Sequence, residues 1–288
     1  MLIKVMAASL NAIDVALAGG AAAGTMTHHY PLVVGRDAAG VVEAAGEGAG
    51  HIQVGDEVFG HILLAPPIQA GTVAEYAVLP AAAVARKPAG IDFATAAALP
   101  LAGAAAVAAI DAIAPVSGQT VLVVGAGGGV GTYVVQLLAA RGVTVVATAT
   151  PTDVGRLTNL GATTVVDYTA GNLTRQVRAA YPDGVDALID LVSYTADGLP
   201  LDVLRNGGKV SSTLGIVDET ALAAAGLSGA NANGSPVREV IAPLAAQAAA
   251  GSLKADINTV MPLEQATEGL TALASRTARG KIVIKIAG

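Results

Sequence analysis

The run TVLVV (120–124) leads without a break into GAGGGVG (125–131) and then TYVVQLLAARG (132–142), and this constrains the chain more than any other segment. It reads as a buried strand, a glycine turn and a helix, with no spare residues between them. That order suits the diphosphate of a dinucleotide. Glycines let the backbone turn tightly and approach the phosphates, and the helix start offers unpaired N–H groups at the positive end of its dipole. The spacing is AxGxxG at Ala126, Gly128 and Gly131, overlapping GxxGxxG at Gly125, Gly128 and Gly131, with Gly129 and Val130 inside the turn. These six residues are the expected cofactor-binding loop.

From about residue 118, apolar runs alternate with helical segments: VLVV, VTVVAT, TTVVDY, DALIDLV and KVSSTLG. Strands without polar alternation, separated by helices, predict a parallel sheet covered on both faces. The first hundred residues are instead rich in short β-branched runs between glycine turns, as in VVGRDAAGVVEAAGEGAGHIQVGDEVFG (33–60). The chain is 53% hydrophobic, which raises the question of a membrane protein. Its longest apolar run, AAALPLAGAAAVAAI (96–110), is shorter than the roughly 20 residues a span needs. That run also contains Pro100 and Gly103, so two buried helices meeting at Pro100 are expected instead. The N-terminus lacks the pattern of a leader, and a cytoplasmic protein is expected. A net charge of −6 with no basic cluster argues against nucleic acid. With no cysteines, disulfides and thiolate metal sites are excluded.

Several motifs in order, ASLNAID (8–14), PLVVGRDAAGVVEAAGEG (31–48), VGDEVFG (54–60), AEYAVLP (74–80), AAALP (96–100), the glycine loop, LGATTVVDYT (160–169), GVDALIDLV (184–192) and RGKIVIKI (279–286), resemble the medium-chain dehydrogenase/reductase superfamily. The resemblance is to its zinc-independent quinone oxidoreductase branch. It implies an α/β fold: a GroES-like β-rich domain at 1–117 plus 260–288, and a doubly wound parallel-sheet Rossmann domain at 118–259. It further implies hydride transfer from a nicotinamide held between the domains, and a homodimer, common among relatives. Relatives begin with further strands before LIKV, so the first domain is expected to lack these and to expose strand edge and apolar surface.

Zinc-dependent relatives hold the catalytic metal with a cysteine near the first motif and a histidine in a GHE motif. The matching positions here are Asn11 and, in GRD, Arg36. A protonated guanidinium has no lone pair for a metal. His28, His29, His51 and His61 are expected as solvated or hydrogen-bonded loop histidines, so no metal is expected.

An acid at the end of the second Rossmann strand favours NADH, because it bonds both ribose hydroxyls. This chain has Thr148 and Thr150 there, with Arg156 nearby to meet a 2′-phosphate or to serve as a solvated helix residue. NADPH is therefore expected, with NADH less favoured. Tyr168 resembles the tyrosine lying along the adenosine side in this family, and Gly215, ending KVSSTLG, completes the expected cofactor set. Without a Lewis acid, a conjugated acceptor is the better substrate, so a small apolar quinone or activated enone is expected. Asn11 is the leading candidate for a donor to its carbonyl oxygen, the alternative being an N-cap, with Asp14 supporting the same turn. A second reading stays open: a protein that binds cofactor but turns over weakly, as a redox sensor or structural relative.

Overall fold

A computed structural model describes residues 1–287 apart from Ala22 and His51; the expectation for His51 lies outside the described residues. The chain divides into two compact units, residues 1–104 with 235–288, and residues 105–234.

The first unit starts with β1 (Leu2–Leu10), α1 (Ala12–Ala18), β2 (Asp37–Ala44), β3 (Glu57–His61), β4 (Tyr76–Val78), β5 (Val84–Arg86), α2 (Phe93–Ala98) and the first turn of α3 (Pro100–Ile113). The two helices meet at Pro100, where a missing N–H and fixed φ suit a helix start. Asp92 opens α2 by accepting a hydrogen bond from Thr95 N at 2.7 Å. β1 organises the sheet. One edge pairs with β2 along most of its length, while the other pairs with β4 through Leu2–Lys4. Ile3, Val5, Val42, Val58 and Leu79 form the buried centre. Tyr76 and Val78 of β4 stand exposed.

The second unit continues α3 and adds β6 (Thr120–Val124), α4 (Gly129–Ala140), β7 (Thr144–Ala149), α5 (Val154–Asn159), β8 (Thr164–Asp167), α6 (Leu173–Ala180), β9 (Val185–Asp190), β10 (Leu204–Ser212), α7 (Glu219–Ala224) and β11 (Ser228–Asn231). All pairs are parallel, in the order β11-β10-β9-β6-β7-β8. This is the doubly wound sheet expected, and its order reverses between β6 and β9, where such sheets bind ligands. Leu122, Val146, Leu188 and Val210 fill its core. β11 was not foreseen: SGAN has no β-branched residue, and it is a strand because it lies in register with Lys209–Ser212.

The chain then returns to the first unit with α8 (Arg238–Ala249), β12 (Ile257–Pro262), α9 (Ala266–Ala274) and β13 (Lys281–Lys285). β13 pairs with Ala7–Leu10, so β1 shares one edge between β4 and β13. Both unit junctions fall earlier than the 117/118 and 259/260 expected. α8 packs on β5, and Arg238 donates to Val84 O at 2.9 Å and Ala81 O at 2.7 Å, which places it with the first unit. The β-rich first unit and the doubly wound parallel sheet of the second together give the α/β class expected. Among the described residues, no helix is long and apolar enough to cross a membrane.

Leu122 lies fully buried on the central strand of the second unit. Leu122→Ala should cost about 2–5 kcal/mol of stability, read as a lower urea midpoint at unchanged slope.

Candidate functional site

In the second unit the glycine loop wraps the start of α4. Gly125 has φ +85°, a backbone that side chains resist. Gly128 N closes the turn onto Gly125 O at 3.1 Å. A Cβ on Gly131 would lie 2.6 Å from Ala126 Cα, so helix and strand approach only because no side chain stands there. At Gly128 the opposite holds: a Cβ would meet nothing nearer than Gly125 O at 3.5 Å, so its outer face is open. Gly128 is also the N-cap of α4, and having no side chain it leaves the helix start without a cap of its own. The amides of Gly129, Val130 and Gly131 are first-turn groups without intrahelical acceptors. An open face beside an uncapped helix start fits a dinucleotide diphosphate.

The remaining expected cofactor residues follow the carboxyl ends of the same strands. Thr148 is buried and its hydroxyl accepts from Gly125 N at 3.1 Å, so it braces the loop rather than facing a ribose. Thr150 Oγ1 donates to Asp153 Oδ2 at 3.0 Å. Arg156 is tied to its neighbours. Its Nη2 donates to Gly127 O and Asp153 Oδ1, both at 3.0 Å, and its Nε to Asp153 Oδ1 at 3.2 Å. Asp153 is the acid that neutralises it, an i,i+3 pair across the start of α5. Tyr168 follows β8, the neighbour of β7, and is 54% exposed. Gly215 follows β10, two strands from β6 on the other side. Asp190, unforeseen, ends β9 and holds the next loop by accepting from Val192 N at 3.0 Å and Ser193 N at 2.8 Å.

In the first unit, polar groups gather at the start of β2. Asp37 is fully buried. Its carboxylate accepts from Asn11 Nδ2 at 2.9 Å and from Leu101 N, in the first turn of α3, at 3.2 Å and 3.3 Å. His61 Nδ1 lies 2.7 Å from Asp37 Oδ1, and since an ionised carboxylate only accepts, Nδ1 carries the hydrogen. His61 is thus no loop histidine: it ends β3, opposite Asp37 in the register, and is 5% exposed. Lys281, at the start of β13, is buried and donates to Asn11 Oδ1 at 2.5 Å and Leu10 O at 3.0 Å.

Asn11, the expected donor to a substrate carbonyl, is held by its neighbours. It occupies the N-cap position of α1, in a capping box with Asp14. Its amide oxygen takes Lys281, and its amide hydrogens face Asp37 and, at 3.4 Å, Ser9 O. Asp14, as expected, supports the turn, accepting from Asn11 N at 2.8 Å. Burial, opposed by that bond, raises the Asp14 carboxyl to about 6. Burial likewise lowers the Lys281 ammonium and the Arg36 guanidinium, against the attraction of nearby carboxylates.

A catalytic zinc needs about three converging donors with free lone pairs. Here the amide oxygen is bonded to an ammonium, the carboxylate and imidazole are bonded to each other, and two cationic side chains share the cluster. This set does not fit zinc. Among the described residues, no group of three or more His, Cys, Asp or Glu side chains is placed to hold a metal.

Residues 1–89 match the family described as the alcohol dehydrogenase GroES-like domain, and 160–284 the one described as zinc-binding dehydrogenase. The NADPH-dependent alkenal/one oxidoreductase of Arabidopsis thaliana chloroplasts is 35% identical over 75% of this chain and 55% of its own length. The chain spans about half the length of this and other curated relatives that it matches. The quinone oxidoreductase of Coxiella burnetii superposes with TM-score 0.86 at 27% identity, over 99% of this chain and 90% of that one. An NAD-dependent alcohol dehydrogenase superposes with TM-score 0.87 at 30% identity, over 99% and 91%.

Two glycines three residues apart should fail differently. Gly128→Val should keep the parent melting curve and lose dinucleotide binding, whereas Gly131→Val should lose about 1–3 kcal/mol of stability; both are read by thermal melts and cofactor titration. Asp14 has a raised folded pKa, so the native state holds its proton longer than the unfolded chain does. Stability should therefore fall as pH rises from about 4 to 6, by about 3 kcal/mol in all. Urea unfolding of the parent and Asp14→Asn at pH 3.5 and 7.5 should show the parent losing that amount relative to the variant.

Proposed function

The chain belongs to the quinone oxidoreductase-like family of the medium-chain dehydrogenase/reductase superfamily, and on that premise we propose that it is a zinc-independent, NADPH-preferring reductase of small apolar quinones or activated enones. The observation that carries this reading is the open face of Gly128 beside the uncapped start of α4. The names of the relatives support the substrate class, one an alkenal/one oxidoreductase and one a quinone oxidoreductase.

A bound reduced nicotinamide dinucleotide supplies the hydride. The residues of this chain do the rest. The first-turn amides of α4 bind the diphosphate, and Thr148 keeps the loop in shape through Gly125 N. At the end of β7 no unpaired acid meets the ribose. Thr150 presents a hydroxyl, and Asp153 is neutralised by Arg156. With the Asp153 charge neutralised, this corner tolerates a 2′-phosphate, and the Arg156 side chain, 25% exposed, lies close by. In the other unit, Lys281 and Asp37 hold Asn11 from both sides of its amide, fixing a polar floor without a metal. A conjugated acceptor suits such a floor, because its own π-system spreads the charge that a Lewis acid would otherwise carry.

Chelator-treated protein should oxidise NADPH at 340 nm with saturable rates on quinones or 2-alkenals. Rates no higher than a heat-treated control, or rates that return only with added zinc, would remove the reading. Arg156→Ala should weaken NADPH binding about tenfold more than NADH binding. Equal effects on both would end the preference for NADPH.

A further inference from the structure

Adding hydride to a conjugated carbonyl leaves negative charge on oxygen, and a proton must follow. Asn11 cannot give one, and its amide hydrogens already face Asp37 and Ser9 O. Lys281 is 2% exposed and bonded to Leu10 O and Asn11 Oδ1. Arg36 does not release protons in proteins, and Asp14 is fully buried with one oxygen turned to Asn11 N. His61 differs from all of these. Imidazole changes charge near neutral pH, Nδ1 is fixed by Asp37, and Nε2 is the nitrogen that Asp37 does not engage. Its side chain keeps 6% of its surface open. A carboxylate on one ring nitrogen sets the tautomer and orients the other for proton transfer.

We propose that His61 is the general acid of this reductase, an assignment that rests on the reductase reading above. The substrate β-carbon accepts hydride from reduced nicotinamide dinucleotide, forming a C–H bond while the C=C electrons move to the carbonyl oxygen. That oxygen takes the proton from Nε2: the N–H bond breaks, an O–H bond forms, and the enol becomes the saturated ketone. The enone is reduced and the dinucleotide oxidised. His61, left neutral, regains its proton from water. Asp37 stabilises the imidazolium between turnovers. The other charges of the cluster are Lys281 from β13, Arg36 ahead of β2 and Asp14 from α1. The histidine and the amide of Asn11 are bonded to the same carboxylate, so an acceptor seated against one is within reach of the other.

The test compares the parent, His61→Asn and His61→Ala in steady-state reduction of an enone by NADPH between pH 5 and 9. His61→Asn keeps an N–H toward Asp37 and removes Nε2. A general acid must be protonated to act, so the parent kcat should fall towards high pH. In His61→Asn, kcat should drop about 10²-fold and that limb should vanish. NADPH affinity by fluorescence should stay within about twofold, since the cradle belongs to the other unit. Added imidazole should restore His61→Ala at least about tenfold. His61→Asn retaining the parent limb and a kcat within about threefold would overturn the assignment, as would a loss in both variants that imidazole does not relieve. A parent that binds NADPH but reduces no quinone or enone would sink the reductase reading itself, and the assignment with it.

Discussion

A single buried carboxylate ties the first unit together. Asp37 stands at the start of β2 and takes hydrogen bonds from the residue ahead of α1, the end of β3 and the first turn of α3. Its own carbonyl oxygen accepts from the Thr72 hydroxyl at 2.9 Å. A charge removed from water this completely persists only when several donors surround it. The sequence meets that need with residues from distant parts of the chain. Leu101 comes from 64 positions away and His61 from 24, while Lys281 reaches Asn11 across 270. Each donor fixes an element, so the carboxylate acts as a pin through the sheet.

The same cluster balances its charges internally. Two cationic side chains, Lys281 and Arg36, supply positive charge, and two carboxylates, Asp37 and Asp14, balance it. Burial makes the balance costly for Asp14, Arg36 and Lys281, as the directions of their pKa shifts record. Such networks gain little net stability, but breaking one partner leaves an uncompensated charge. What the network gives is geometry. Asn11 is held at both ends of its amide, and His61 is held at one ring nitrogen. In the other unit the loop is shaped by backbone approach instead, with Gly131 against Ala126 and Thr148 under Gly125.

The glycine loop was legible because everything it needs lies within about twenty consecutive residues: a strand, a turn that excludes side chains, and a helix start. The alternation of strands and helices revealed the parallel sheet in the same way, and Pro100 marked the division between two helices. What escaped depends on pairing across the fold. β11 has no β-forming residues and exists by register with β10. His61 looks like a loop residue beside Gly60, and only the pairing of β2 with β3 sets it against Asp37. Asn11 looked like a free amide because the lysine that occupies it lies in the last strand. Arg156 could have been read more closely, since Asp153 three residues before it is an ordinary helical ion-pair spacing. The placement of α8 with the first unit also depends on a distant contact, Arg238 with β5, that no local pattern announces.

The central claim is that hydride passes from a reduced nicotinamide dinucleotide to a conjugated acceptor on this chain without a metal. The direct measurement is isotope transfer. Protein freed of metal by chelation, supplied with NADPH carrying deuterium at the transferable C4 position and a 2-alkenone, should yield a product with one deuterium at the β-carbon, detected by mass spectrometry. Product without deuterium, or product formed only after zinc is added, would contradict the account.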